Sequence, residues 1–258
     1  MIDLTWNCNF KCAYCNAKPA ETPNLINPSQ LIETVKSMVS GTNRFTIGNG
    51  MEPTIHPQFI ATCSAIQELN LHHSLFSLQT NGRNLIKFSP QMLRSAGFNL
   101  VSVSLDVFIP SIAHFQRNGL RPGTLFRSIA RILNESDIKI RVIIVVTALN
   151  IQTAIEFVEF CIQFGINIFT LRQVITRQSK EFFEVGGKTY PVRELEISKE
   201  AFQNLKRDVV VKFDSTAEFE FYDEVDIHRH AANTKSGKNW QASDWKNYIK
   251  NLAQRTGL

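Results

Sequence analysis

The sequence predicts an α/β protein: a partial (β/α)6 barrel of parallel strands over residues 1–175, followed by a small α+β extension over residues 176–258. Three observations carry this expectation. Apolar runs of strand length alternate with helical periodicities almost without interruption to about residue 175. The stretch from Val142 to Val146 is apolar at every position, as in a strand covered on both faces inside a helical layer. Finally, the glycine-rich and polar segments fall at the C-terminal ends of the expected strands. Barrels of parallel strands gather their functional groups there, which favours the partial barrel over an open doubly wound sheet.

Residues 2–6 read as the first strand. Asn27 and Pro28 then open a helix as N-cap and first helical residue. Leu31, Ile32, Val35, Met38 and Val39 give that helix one apolar face at three-and-four spacing. The second and third strands are residues 45–47 and 74–79, with a helix over 59–69 between them and another after Ser89-Pro90. The fourth strand covers 100–105 and is followed by a helix over about 124–133. The fifth covers 138–149, Asn150 caps a helix running to Phe164, and the sixth covers 167–175. Beyond residue 176 the rhythm changes. Gly186-Gly187 lie between strand-like flanks as a hairpin turn, Ser198 caps a short helix, and strand-like runs follow at 209–213 and 218–222. Residues 223–241 are polar and read as a loop, and those from Asp244 read as helical. The extension is expected to lean on the barrel as a substrate-side cap.

Composition bounds the class. With 258 residues, 43% of them hydrophobic, 20% charged and 19 of them Phe, the chain can bury a sizeable core, which excludes disorder over most of its length. No apolar run reaches the roughly 18 residues that cross a bilayer, so no membrane partner is expected. The N-terminus shows no basic and apolar targeting pattern, and the expected location is cytoplasmic. The formal charge is +5, but the charges are scattered singly and in pairs, so nucleic acid is not an expected partner.

Three of the five cysteines, Cys8, Cys12 and Cys15, form a C-x3-C-x2-C array just past the first strand. An odd number with such clustering is a poor disulfide framework. Three thiolates on one tight loop can meet three corners of a cubane cluster, which leaves one iron free for another ligand. A structural zinc site would need a fourth ligand, and the nearest histidine, His56, has no paired neighbour. The array, with Tyr14 before the last cysteine, resembles the signature of the radical S-adenosylmethionine (radical SAM) superfamily. That resemblance implies a [4Fe–4S] cluster on Cys8, Cys12 and Cys15. It also implies S-adenosylmethionine as cofactor, cleaved reductively to a 5′-deoxyadenosyl radical that abstracts hydrogen from a substrate.

Four further segments extend the resemblance over about residues 1–175. Gly48-Asn49-Gly50-Met51-Glu52-Pro53 is similar to the family's Gly-Gly-Glu-Pro segment, with Met51 in place of the second glycine. Gly50, Glu52 and Pro53 are thereby implied to meet the methionine amino group of the cofactor. Thr80-Asn81-Gly82 resembles a Thr-Asn-Gly found after the third strand. Ser104-Leu105-Asp106 resembles a Ser-Leu-Asp near the cofactor's ribose and carboxylate. Phe115-Gln116-Arg117 and Pro122-Gly123 resemble the peptide-modifying and molybdopterin-precursor branches. Thr147 and Asn150 end the fifth strand, and Arg172 and Gln173 lie in the sixth. The implied cofactor contacts are Tyr14, Gly50, Glu52, Pro53, Thr80, Asn81, Ser104, Asp106, Asn150 and Arg172. Implied partners are an electron donor such as flavodoxin or ferredoxin, and a peptide or small-molecule substrate.

Other residues carry weaker readings. Cys63 and Cys161 lie in apolar helices and read as core. His72-His73 read as surface, and His228 and His230 as a second metal or substrate contact, or neither. An arginine inside an apolar strand, Arg172 needs an anionic partner or a wet cavity, or else a structural pairing with a carboxylate. Two other functions stay open on the residues alone: a non-catalytic iron–sulfur electron-transfer or sensor protein, and a zinc-bound module.

Overall fold

The computed structural model describes residues 1–15, 25–38, 44–69, 75–175, 181–223 and 226. Its centre is a parallel sheet of six strands: β2 (Arg44–Ile47), β3 (Leu75–Thr80), β4 (Leu100–Ser104), β6 (Lys139–Val146), β7 (Ile168–Gln173) and β10 (Glu218–Tyr222). They stand side by side in that order, so position in the sheet follows position in the chain. Two-residue strands β1 (Lys11–Cys12) and β5 (Arg117–Asn118) pair antiparallel beside the sheet, and β8 (Phe182–Val185) and β9 (Lys188–Pro191) form a hairpin. The helices are α1 (Pro28–Met38), α2 (Phe59–Gln67), α3 (Pro90–Ser95), α4 (Pro110–Gln116), α5 (Pro122–Glu135), α6 (Ala154–Gln163) and α7 (Lys199–Phe213).

The strand pleat sorts the sheet into two unlike faces. Phe45, Ile47, Phe76, Leu78, Val101, Val103, Ile140, Val142, Ile144, Val146, Phe169 and Leu171 share one face by register and are all buried, beneath the helices. Phe45, Phe76, Phe98 and Phe59 stack there in sequence at centroid spacings of 5.7, 4.8 and 5.9 Å, joining β2 and β3 to α2. Helix α5 lays Leu125, Ile129 and Ile132 into the same layer, each worth about 1.5–3 kcal/mol of burial. The opposite face carries Thr46, Ser77, Gln79, Ser102, Ser104, Arg141, Thr170, Arg172, Glu220 and Tyr222. Thr46 and Ser77 share a hydrogen bond of 2.8 Å, and Arg141 and Thr170 both reach Glu220. This polar face is the inside of an unclosed, partial barrel. Uniform apolarity of β6 therefore does not extend to the strands beside it.

Several elements differ from the sequence expectation. Residues 2–6 form no full strand: Ile2 makes a single parallel bridge to Ile47, and Thr5 bridges to Leu25. The run at 209–213 is the last turn and more of α7, not a strand. Its β-branched valines mimic a strand, yet Val209 is buried and Val211 is 81% exposed, an arrangement set by the helical period. Ser198 caps this helix through Ala201 N–H at 3.0 Å, and the helix is long, not short. Helix α7 and β10 add one more helix–strand unit to the same sheet, because β10 pairs parallel with β7. Asn27 caps α1 through Ser29 N–H (2.9 Å) and Ser89 caps α3 through Met92 N–H (3.0 Å). The β8–β9 turn is made by Gly186 and Gly187, both at positive φ (58° and 75°), as a two-residue hairpin turn demands. His72, His73, His228, His230, Val39 and the stretch 227–258 lie outside the described residues.

Candidate active site

Every expected segment lies at the C-terminal end of the sheet. The cysteine loop follows the Ile2 bridge; Gly48–Pro53 and Thr147–Asn150 follow β2 and β6, Thr80–Gly82 and Ser104–Asp106 begin at the last residues of β3 and β4, Arg172 is the penultimate residue of β7, and Tyr222 ends β10. The loop is tied down at both ends: Ala13 N–H donates to Gln116 O (2.8 Å), beside the β1–β5 pair, and Cys15 N–H to Cys12 O (3.2 Å). Phe10, 5% exposed, plugs it into the core. Cys12 is buried, and Cys8 and Cys15 are half-buried. Burial pushes the Cys12 thiol up to about 12, with Arg117 opposing and the neighbouring Cys15 and Cys8 adding to the rise. Burial likewise raises Cys8. Cys63 and Cys161 are fully buried in α2 and α6 and raised by burial alone, so both belong to the core.

The thiols are thus near enough to feel one another. Yet among the described residues no three His, Cys, Asp or Glu side chains gather as a single metal ion would need. Three thiols on one loop, with no fourth ligand beside them among the described residues, fit a cluster held at three corners better than a four-ligand zinc ion.

Two buried carboxylates hold the surrounding loops. Glu52, 2% exposed, takes Thr54 N–H (3.1 Å), the Thr54 hydroxyl, the Thr80 hydroxyl (2.7 Å) and Asn81 N–H (2.6 Å). It clamps the β2 loop to the β3 loop, and burial raises its pKa against those four donors. Asp106, also 2% exposed, takes Tyr14 O–H (2.6 Å), Arg117 Nε–H (2.6 Å) and Nη2–H (3.0 Å), and Val145 N–H (2.8 Å). Arg117 also covers the Tyr14 ring at 5.3 Å. Asn150 is equally occupied. Its Oδ1 accepts Thr147 N–H (2.7 Å), and its Nδ2 donates to Asp106 O (3.0 Å) and Val145 O (2.9 Å). It therefore does not cap the helix as expected. A 3-10 turn (Ile151–Thr153) intervenes before α6, and the amide points back at the strand ends.

Other groups remain open. The Ser104 hydroxyl makes no hydrogen bond among the described residues. Arg172, on the polar face, makes no ion pair among them; its Nε has no partner, and its guanidinium rests on the Tyr222 ring at 5.5 Å. Burial lowers its pKa, with Tyr222 and Glu220 opposing and the more weakly acting Arg141 and Arg117 adding to the fall. The carboxylate pairing considered for it goes instead to Arg141. Gly50 and Met51 turn their N–H groups toward Asp3, which takes Asn49, Gly50 and Met51 amides at 2.8–3.3 Å, while their carbonyls accept nothing among the described residues. Gly48 makes that turn possible: at φ 87°, a Cβ there would stand 2.3 Å from Gln79 O. Pro53 packs against the same glycine. Open carbonyls suit an ammonium group, and a half-buried arginine with an enclosed, unpartnered Nε suits an anion, so these residues fit an amino-acid-bearing cofactor or an anionic substrate.

A second small core joins the β8–β9 hairpin to the cysteine loop. Phe183 and Val185 of β8, with Tyr190, Val192 and Leu195, pack on Ala13 and Tyr14 of the cysteine loop and on Phe115 and Val174. Phe115 meets Phe183 and Tyr190 edge-on at 5.3 and 4.8 Å.

Asp3, Arg117, Gln116 and Tyr222 were not among the expected contacts. An aspartate just after the Ile2 bridge and an aromatic ending a late strand carry no motif. Arg117 and Gln116 sit in a segment noted for its resemblance, but no spacing marks their targets.

The family model for the Radical SAM superfamily matches residues 2–161. A probable GTP 3′,8-cyclase of Methanococcus aeolicus is 27% identical over 80% of this chain and 68% of its own length. Molybdenum cofactor biosynthesis protein 1 of Mus musculus is 30% identical over 44% of this chain, and the match spans 18% of that protein. Among solved structures, SuiB of Streptococcus suis bound to S-adenosylmethionine superposes with a TM-score of 0.64 at 20% identity, covering 86% of this chain and 46% of SuiB. The chain thus spans well under two thirds of the mouse protein and of SuiB.

Proposed function

Because the chain belongs to the radical SAM superfamily, whose enzymes bind a [4Fe–4S] cluster and S-adenosylmethionine, we propose that it reductively cleaves that cofactor and acts on a small anionic substrate. Cys8, Cys12 and Cys15 would hold the cluster. When bound, cluster and cofactor supply an electron and a 5′-deoxyadenosyl radical able to remove hydrogen from a C–H bond. Everything else is the protein's own work. The Gly50 and Met51 carbonyls, aimed by Asp3, receive the cofactor's ammonium. Ser104 offers a hydroxyl to its carboxylate. Glu52, Asp106 and Asn150 act one step back, fixing the loops that carry Thr80, Asn81 and Tyr14. The β8–β9 hairpin caps the mouth and keeps water out.

The observation that carries the reading is the convergence of these groups, from separate segments, on one end of a parallel sheet. Arg172 supports an anionic substrate, and the named activity of the relatives, cyclisation of GTP, supports a nucleotide. Reduction requires an external donor; flavodoxin or ferredoxin fits that role. The test is anaerobic turnover of the cluster-loaded chain with dithionite, S-adenosylmethionine and either GTP or a peptide, scoring 5′-deoxyadenosine. Release stimulated by GTP supports the reading. Stimulation by peptide alone would move the substrate class, and no release under any condition would overturn the enzymatic reading.

A further inference from the structure

We infer that Asn81 and Arg117 are positioning residues that set the reduction potential of the cluster through donors to two ligand sulfurs. This rests on the reading that Cys8, Cys12 and Cys15 hold a cluster. Asn81 Nδ2 lies 3.7 Å from Cys8 Sγ. Its amide cannot swing away: Nδ2 also donates to Asn9 Oδ1 (2.7 Å), Oδ1 accepts Arg83 N–H (3.0 Å), and its backbone N–H is held by Glu52 (2.6 Å). Arg117 Nη1 lies 3.9 Å from Cys12 Sγ. Its Nε and Nη2 are taken by the two oxygens of Asp106, so Nη1 is the edge turned to sulfur. Among the described residues no donor reaches Cys15 Sγ.

The three ligands are therefore unequal: Cys8 faces two neutral donors, the Asn81 amide and Phe10 N–H (3.5 Å), Cys12 faces a cation, and Cys15 neither among the described residues. Reduction adds negative charge to the cluster, and donors at its sulfurs stabilise that charge, which raises the potential. Arg117 is 6% exposed, so solvent screens it little, and Asp106 offsets part of its effect. The signs follow. Removing Asn81's amide or Arg117's charge makes the potential more negative. Removing Asp106's charge with Asp106→Asn leaves Arg117 uncompensated and makes it more positive.

The experiment loads the full chain and its Asn81→Ala, Asn81→Asp, Arg117→Met, Arg117→Lys and Asp106→Asn variants with iron and sulfide anaerobically. Iron and sulfide content are measured, and the midpoint potential is read by an EPR-monitored titration without substrate. The expected order runs from Asp106→Asn, above the parent, down through Asn81→Ala to Asn81→Asp, with Arg117→Met below Arg117→Lys. A merely structural role would lower iron content in all variants and leave loaded clusters at the parent potential. Parent-like potentials, or shifts of the same sign for Arg117→Met and Asp106→Asn, would overturn the inference. Should Arg117→Met fail to load, the opposed shifts of Asn81→Asp and Asp106→Asn decide it. A parent chain that takes up no cluster refutes the underlying reading instead, and the two failures are told apart by the iron content alone.

Discussion

Arg172 and Tyr222 face each other in register across β7 and β10, the guanidinium carbon 5.5 Å from the ring centroid. The pair places a half-buried cation, its Nε enclosed and unpartnered, near the end of the polar face. Stability alone gives little reason to keep it, since an enclosed donor without a partner costs free energy that an apolar side chain of similar shape avoids. Arg172→Met is therefore expected to unfold at the same temperature as the parent or higher. It should also lose most substrate-stimulated 5′-deoxyadenosine release, by tenfold or more in kcat/KM, about 1.4 kcal/mol or above. A clear drop in melting temperature with unchanged turnover would make Arg172 a structural residue.

Changing any one of Cys8, Cys12 or Cys15 to Ala is expected to abolish an intact [4Fe–4S] cluster. The remaining cysteines, Cys63 and Cys161, are sealed in helices and cannot substitute. Iron and sulfide analysis with the visible absorbance of the loaded chain is the check; full loading of any single variant contradicts the ligand assignment.

Ser104 and Glu52 should separate affinity from stability. Ser104→Ala removes an open hydroxyl, so S-adenosylmethionine binding should weaken by about 1.5–3 kcal/mol with unfolding unchanged. Glu52→Ala orphans four donors in the interior, and should cost about 3 kcal/mol of stability. Calorimetric titration and urea unfolding of both variants make the comparison; equal losses of stability would place Ser104 among the struts.

Phe183→Ala should loosen the β8–β9 hairpin, which packs through this ring on Phe115 and the cysteine loop. The cluster should load normally, while limited proteolysis cuts near Gly186-Gly187 faster and cofactor cleavage runs on without substrate being consumed. Tight coupling in this variant would show that the hairpin is no cap.

Much of this was legible before any coordinates. The cysteine spacing, the Gly186-Gly187 turn and the strand-end placement of polar segments are local patterns, and local patterns survive in sequence. What escaped is long-range. Glu52 and Asp106 look like ligand-facing carboxylates in their motifs, yet both are filled by donors 28 and 29, and 11 and 92, positions away. Arg117 marks the same limit: nothing near it announces Cys12, which lies 105 residues back. The valines at 209–211 misled because β-branching describes a side chain, whereas the helical period describes its surroundings.

The agreement between sheet order and chain order has a consequence for how the protein can change. Among the described residues, the donors to the Cys8 and Cys12 sulfurs, Phe10, Asn81 and Arg117, all lie in the first 117 residues, whereas Arg172, Tyr222 and the hairpin come later, on the β7–β10 side. On the proposed function, electron handling and substrate reading would be neighbouring provinces of one surface, each written in its own stretch of the sequence. On that reading, changes in the later stretch would retune the substrate and leave the cluster's ligands and their donors untouched.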